Sequence, residues 1–420
     1  MAAAAEPITR EQLNRWGIPT DRLSFALLDL HDFLRSYRGT EVQDHRLTSS
    51  PEPRYALAHE EFRRFLQEDA ELALSWRTAN AFIGQRAVEA WRGRWTDVDP
   101  IEAPDLYDLR FVLHHLYLAR LPEAAEQLQQ DSTYASACIE IASGMCASAD
   151  IRQAGIALEL AGHAVEAYER DVVAHRAEIV RAEEVRGMLL AQLGLLDQAI
   201  SSYDHALEHS RAANTDLQRL LSPPLARIYL AKGIALERLG RPYEAMTNFD
   251  AAAIKGYQLQ REGDPNARDL LHVTLANRGQ ALRLLGRLEE AIEAHEEAAA
   301  ILEEAASHES DGPGVEDQLR TAQALTQMGA LHFDIGEIEE AVRSHERALA
   351  LIAEQENSGA DRDVLVAHVV ALVNRGVALE HLGRVEDALD SYGEAVARGK
   401  SVILNQDADQ IVDAVLLALT

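Results

Sequence analysis

The side chains with the clearest chemical potential in this 420-residue chain are a row of carboxamides and a row of cations, each recurring at long intervals. Asn277, Gln327 and Asn374 stand two places before the recurring glycines Gly279, Gly329 and Gly376, while Val185 and Ala231 hold the equivalent positions nearer the N-terminus. A carboxamide donates and accepts hydrogen bonds at once, so the chemistry is recognition rather than bond-making. Gln280 and Arg283 share that helical face and join the candidate ligand-binding set as side-chain recognition groups. The bland alternative is five exposed polar helix positions. Arg186, Lys232, Arg278 and Arg375 stand directly before the same kind of glycine, and Met328 breaks their row. Such a seam would bind a carboxylate-rich ligand, but guanidinium stems also pack and pair with glutamates of a partner helix, which is the expectation favoured here.

Catalytic patterns are missing from the sequence. It holds no GxxxxGK[ST] phosphate loop, no HExxH, no GxSxG, and no Cys and His pair in a nucleophilic context. His205 and His209 are one helical turn apart and fit two ligands of a metal, yet no third ligand is evident, so two exposed helix histidines are expected. His114 and His115 are adjacent and diverge on a helix. Cys138 and Cys146 are too few for a disulfide framework or a metal knuckle and are expected as buried free thiols. No catalytic residue, metal or cofactor is therefore expected, and the chain is predicted not to be an enzyme.

What positions the two rows is a skeleton repeated five times: glycine, leucine or histidine three residues on, a second glycine after seven, alanine after twelve, an aromatic or histidine after sixteen, alanine after nineteen. Its copies begin at Gly187, Gly233, Gly279, Gly329 and Gly376. The second glycines, Gly194, Gly240, Gly286, Gly336 and Gly383, are predicted to end one helix in a left-handed conformation so that the chain reverses into the next. The first glycine and the alanines mark close approach of paired helices, and the residue at sixteen, His295 and His345 among them, seals the pair against its neighbour. The stretches LANRGQALRLLGRLEEAIEAHEEAAA and LVNRGVALEHLGRVEDALDSYGEAVA resemble the tetratricopeptide repeat. That resemblance implies an all-α, right-handed α-solenoid of helix pairs whose first helices line a concave face. Related solenoids use asparagine at the position of Asn277 and Asn374 to hold an extended peptide's backbone.

The period departs from that family, since the stop glycines lie 46, 46, 50 and 47 residues apart, against about 34 in ordinary copies. Both helices of each pair are thus predicted to be elongated. Asp264 before Pro265 reads as an N-cap that starts a helix of roughly 20 residues, about 30 Å long. A degenerate sixth copy is expected at Gly155, Leu158, Gly162 and Ala167, with Asp171 where the aromatic belongs, and residues 101–150 read as a helical connector. The solenoid is placed at 151–420. Its last segment, DADQIVDAVLLALT, aligns with the first helices of earlier copies and reads as a cap or as an array continuing beyond.

Residues 1–100 carry Trp16, Trp76, Trp91 and Trp95 and no repeat. Helices are predicted from Thr9 and over Asp21 to Leu34, followed by two stretches, FLRSY and RYALA, that flank a polar loop and suit a small β-hairpin, then a helix with Phe62, Phe65 and Leu66. FALLDLHDFLRS and RYALAHEEFRRFL resemble the winged-helix region of bacterial STAND signalling ATPases. This implies the ligand-sensing half of such a switch, with an attached NTPase module or self-association as further contacts. A free-standing receptor for a small signalling peptide, or a general scaffold, is the alternative. Forty Lys and Arg against 69 Asp and Glu give a formal charge of −29, which argues against nucleic acid or an anionic membrane and suits a basic or amphipathic peptide. No apolar run is expected to reach membrane-spanning length, the start MAAAAEPITREQL lacks a signal-peptide pattern, and a cytoplasmic location follows as the expectation.

Overall fold

The computed structural model describes residues 34–37, 40–43, 46–49, 54–57, 70–97, 103–146, 151–308, 314–356 and 362–405. The helices expected before residue 34, the one carrying Phe62, Phe65 and Leu66, and the DADQIVDAVLLALT segment lie outside them. Four short strands come first: β1 (Leu34–Tyr37), β2 (Thr40–Gln43), β3 (Arg46–Ser49) and β4 (Arg54–Leu57). β1 pairs antiparallel with β4, Leu34 opposite Leu57 and Tyr37 opposite Arg54, and β2 pairs with β3 inside that ladder, Val42 opposite Leu47. The pairing of FLRSY with RYALA predicted from sequence is therefore present.

The other described residues are mainly helical, and the chain divides into two compact units, Met1–Leu195 and Leu196–Thr420. The first unit contains α1 (Ala70–Trp91), α2 (Ala103–Leu118), α3 (Pro122–Gln129), α4 (Ser132–Cys146), α5 (Ile151–Tyr168) and α6 (Arg176–Gln192). One core runs through it from Ala87 to Leu189 and so crosses the expected boundaries at 100 and 150. Trp95 packs edge-on to Tyr134 at 5.1 Å between ring centroids, and the Trp91 indole donates to buried Asp108 at 3.1 Å. Apolar Leu109, Leu116 and Tyr134 bury the supposed connector in this core. The degenerate copy is corrected here: Gly162, predicted to stop a helix, lies within α5 with nothing to force a reversal.

The second unit is built of helix pairs after α7 (Leu196–Arg211) and the short α8 (Thr215–Leu220). The pairs are α9 (Ser222–Arg238) with α10 (Pro242–Glu262), α11 (Ala267–Leu284) with α12 (Leu288–His308), α13 (Val315–Asp334) with α14 (Ile338–Glu356), and α15 (Arg362–His381) with α16 (Val385–Asn405). Their cores are small clusters confined to adjacent helices, as in a solenoid where each pair touches its neighbours. Lengths of 17 to 21 residues correspond to roughly 26 to 32 Å at the α-helical rise. Where the chain enters α11, Asp264 Oδ1 accepts from the Asn266 N–H at 2.8 Å, so the predicted cap operates one turn ahead of the helix proper.

Two contacts explain the skeleton. The stop glycines all have positive φ, from 71° at Gly240 to 85° at Gly336. After each, the next residue's N–H reaches back to the carbonyl at skeleton position three, as from Arg241 to Leu236 at 2.9 Å and from Glu337 to His332 at 2.8 Å, which closes a Schellman cap. The first glycine faces the residue at sixteen of its own copy. A Cβ on Gly279 would stand 2.6 Å from His295 Nε2, one on Gly329 2.5 Å from the His345 ring, and Gly233 and Gly376 meet Phe249 and Tyr392 in the same way. The ring thus fills the inside of its own pair, whereas the sequence reading placed it at the joint with the neighbour.

One expectation about hydropathy needs correction. α15 is long and apolar enough to cross a membrane by length and composition, at a mean hydropathy of 1.3. Its composition is accounted for by packing: Val364, Val369, Leu372, Ala378 and Leu379 are all buried against neighbouring helices.

Candidate functional site

A cavity of about 530 Å³ lies over α11, α13 and α15, the first helices of three successive pairs. Three of the five predicted residues line it: Asn277 and Gln280 from α11 and Gln327 from α13. Position fixes this geometry, because skeleton glycines hold each first helix against its partner and leave the opposite face free. Arg283 and Asn374 lie outside the lining. Arg283 faces Asp334 at 3.9 Å, and Asn374 sits one turn past the cavity wall residue Val370 on α15.

Sequence reasoning missed most of the wall. Gln323 and Arg320 precede Gln327 by four and seven residues, and Val370 and Val366 precede Asn374 by four and eight, so both sets lie on the helical faces already singled out. Extending each candidate along its own helix would have found them. His272 and His295 line the inner part. His272 Nδ1–H donates to the Ala298 carbonyl at 3.0 Å, and burial holds its pKa below the usual histidine value. His295 is 4% exposed, its Nδ1 has no hydrogen-bond partner, and burial foremost, with His272 and Arg283 adding to it, lowers its pKa to about 4.

The carboxamides are partly committed. Asn277 Nδ2 donates to the Val273 carbonyl at 2.7 Å, so its side-chain oxygen is the group presented outward. Arg320 already reaches Asp269 at 3.3 Å and also bonds Glu316. The arrangement offers hydrogen bonds and apolar contact, with no nucleophile and base in mutual reach along its walls.

The cation row proves to be internal. Lys232 meets Asp204 at 2.5 Å, Arg278 meets Asp250 at 2.8 Å, and Arg375 meets Glu346 at 3.2 Å. Each acid follows the sealing residue of the previous copy, so every pair ties one hairpin to the next. Met328 leaves the matching Glu296 without this tie. Arg186 differs and pairs within its own helix to Glu183 at 3.3 Å.

The remaining candidates make contacts within the protein. His205 and His209 are half-buried rather than exposed, and their Nε2 atoms share a hydrogen bond at 3.1 Å. His115 is buried against Asn80 at 2.8 Å, and burial lowers its pKa to about 3. Cys138 is buried and Cys146 half-buried, both free thiols whose pKa burial raises.

A match to one family model agrees with the hairpin array. The tetratricopeptide-repeat family matches residues 273–311 and 321–354, which lie in α11 to α14. Among solved structures, BtubC (BKLC) from P. vanneervenii is 18% identical, with 60% of this chain and 92% of that one covered at a TM-score of 0.45. A STAND protein with a tetratricopeptide repeat sensor from Pyrococcus horikoshii is 11% identical over 96% of this chain and 63% of that one, at a TM-score of 0.48. The apo form of RapI is 11% identical over 78% of this chain and 100% of that one, at 0.41. No curated protein matches the sequence.

Proposed function

We propose that the chain recognises a protein or peptide through the groove over α11, α13 and α15, and that it performs no chemistry on it. The observation that carries this reading is the convergence of Asn277, Gln280 and Gln327 from two first helices onto one 530 Å³ cavity. That volume lies within the range of ordinary ligand sites, and its walls combine apolar contact with a few directed polar groups. The finer reading is a cytoplasmic sensing half of a STAND-type switch, supported by the RYALAHEEFRRFL segment and by the ladder pairing Leu34–Tyr37 with Arg54–Leu57. Ligand would act by changing how successive hairpins pack, since small shifts at each joint accumulate along such an array.

Two measurements test the two levels. Capture of a partner from native lysate by the full chain should fall at least tenfold when Asn277→Ala and Gln327→Ala are combined, with the melting temperature held; undiminished capture removes the groove reading. A phosphate-loop sequence encoded in phase upstream of the Met1 codon is expected for the switch. An unrelated upstream frame would leave a free-standing receptor.

A further inference from the structure

The groove differs in charge from the protein that carries it. The chain has a formal charge of −29, yet the cavity walls hold one cation, Arg320, and one anion, Asp363, both in the first two turns of their helices and hence at one end. Arg320 is already engaged by Asp269 and Glu316. Along the middle stand the carboxamides of Asn277, Gln280, Gln323 and Gln327, opposed by Val366 and Val370. Below them is His295, 96% buried by its 4% exposure, with Nδ1 unpartnered. A buried imidazole nitrogen without a partner is an open hydrogen-bonding position, which native interiors rarely leave unfilled.

Building on the groove reading above, we infer that the site selects an extended partner segment with uncharged side chains, held by carboxamide hydrogen bonds and by apolar contact with α15. A lysine or arginine side chain there would leave water for walls that supply no carboxylate in the middle of the groove. An aspartate or glutamate would find Arg320 already shared by two acids. Either charge is desolvated without a counter-ion, which is the costly case. Neutral amide groups, by contrast, match a peptide backbone in both donor and acceptor sense.

A random-peptide display library panned against the full chain reads this directly. Enriched peptides should share an uncharged core in which Lys, Arg, Asp and Glu are each depleted about tenfold against the naive library, a difference worth about 1.4 kcal/mol. Enrichment should vanish with the combined Asn277→Ala and Gln327→Ala variant. Gln327→Glu, which adds one carboxylate at mid-groove on an exposed helix position, should redirect selection to cores containing Lys or Arg. Charged cores on the unaltered chain that still need Asn277 and Gln327 would overturn the neutral-segment inference and leave the groove standing. No enrichment, or enrichment indifferent to those two residues, would overturn the groove reading and this inference with it.

Discussion

At Gly279 and Gly329 the space that a Cβ would take is occupied by an imidazole, and the whole hairpin depends on that substitution of ring for side chain. Gly279→Ala should destabilise the second unit by about 1–3 kcal/mol through overpacking. Combining it with His295→Ala should recover part of the loss, a coupling that chemical denaturation of the four chains would read. The same rings make the array acid-sensitive. His295 and His345 are buried neutral with pKa values lowered to about 4, burial being the main cause. An unfolded histidine titrates near 6.5, so the unfolded chain binds more protons between the two values. Stability is accordingly full above about pH 6.5 and falls as pH drops toward 4, by up to about 3 kcal/mol for each ring. Replacing them with the rings of the sister copies, His295→Phe and His345→Tyr, should flatten that slope in thermal melts between pH 7 and 4. An unchanged slope would mean that other groups carry it.

At the scale of the element, the hairpins were legible because their signals are local. A glycine at a helix end, a small residue beneath a large one and a fixed interval between them are all written within one copy. The N-terminal ladder was also readable, since RYALA and FLRSY flank a polar loop. What was not legible is how helices associate over distance. Gly162 has the right neighbours in sequence but lies inside α5, because a helix stops only where capping and tertiary packing agree. Leu109, Leu116 and Tyr134 showed no repeat and yet form the centre of the first unit's core. The amide row was visible, but its partners Gln323 and Val370 belong to it only once three helices lie side by side. The ties between hairpins can be weighed in the same way. Arg278 and Asp250 remain 25% and 44% exposed, so Arg278→Met, copying Met328, should cost under about 1 kcal/mol in a urea titration. A larger loss would show that the pair, rather than the apolar stem, holds the joint.

For the molecule as a whole, the unit from Leu196 onward behaves as a series of near-identical layers. The ring-on-glycine contacts lie inside a pair, whereas the cation ties lie between pairs. These two kinds of contact therefore fail separately: a defect in the first melts one hairpin, and a defect in the second loosens a joint. The joint between Glu296 and Met328, which lacks this cation tie, is held instead by Arg268 to Asp317 and Arg320 to Asp269, both at 3.3 Å, and it is one of the two joints that the groove spans.

The equal interval between the first three stop glycines has a consequence for the gene. Gly194, Gly240 and Gly286 are separated by 46 residues each time, so excising residues 241–286 would join α9 directly to α12 at an equivalent turn. Gly233 would then face His295 in place of Phe249, and no helix would change its phase. Recombination between copies can therefore lengthen or shorten this array by whole hairpins without passing through an unfoldable intermediate sequence. Excising that particular segment also removes α11 with Asn277 and Gln280, so the groove survives only where copies ahead of α11 are gained or lost.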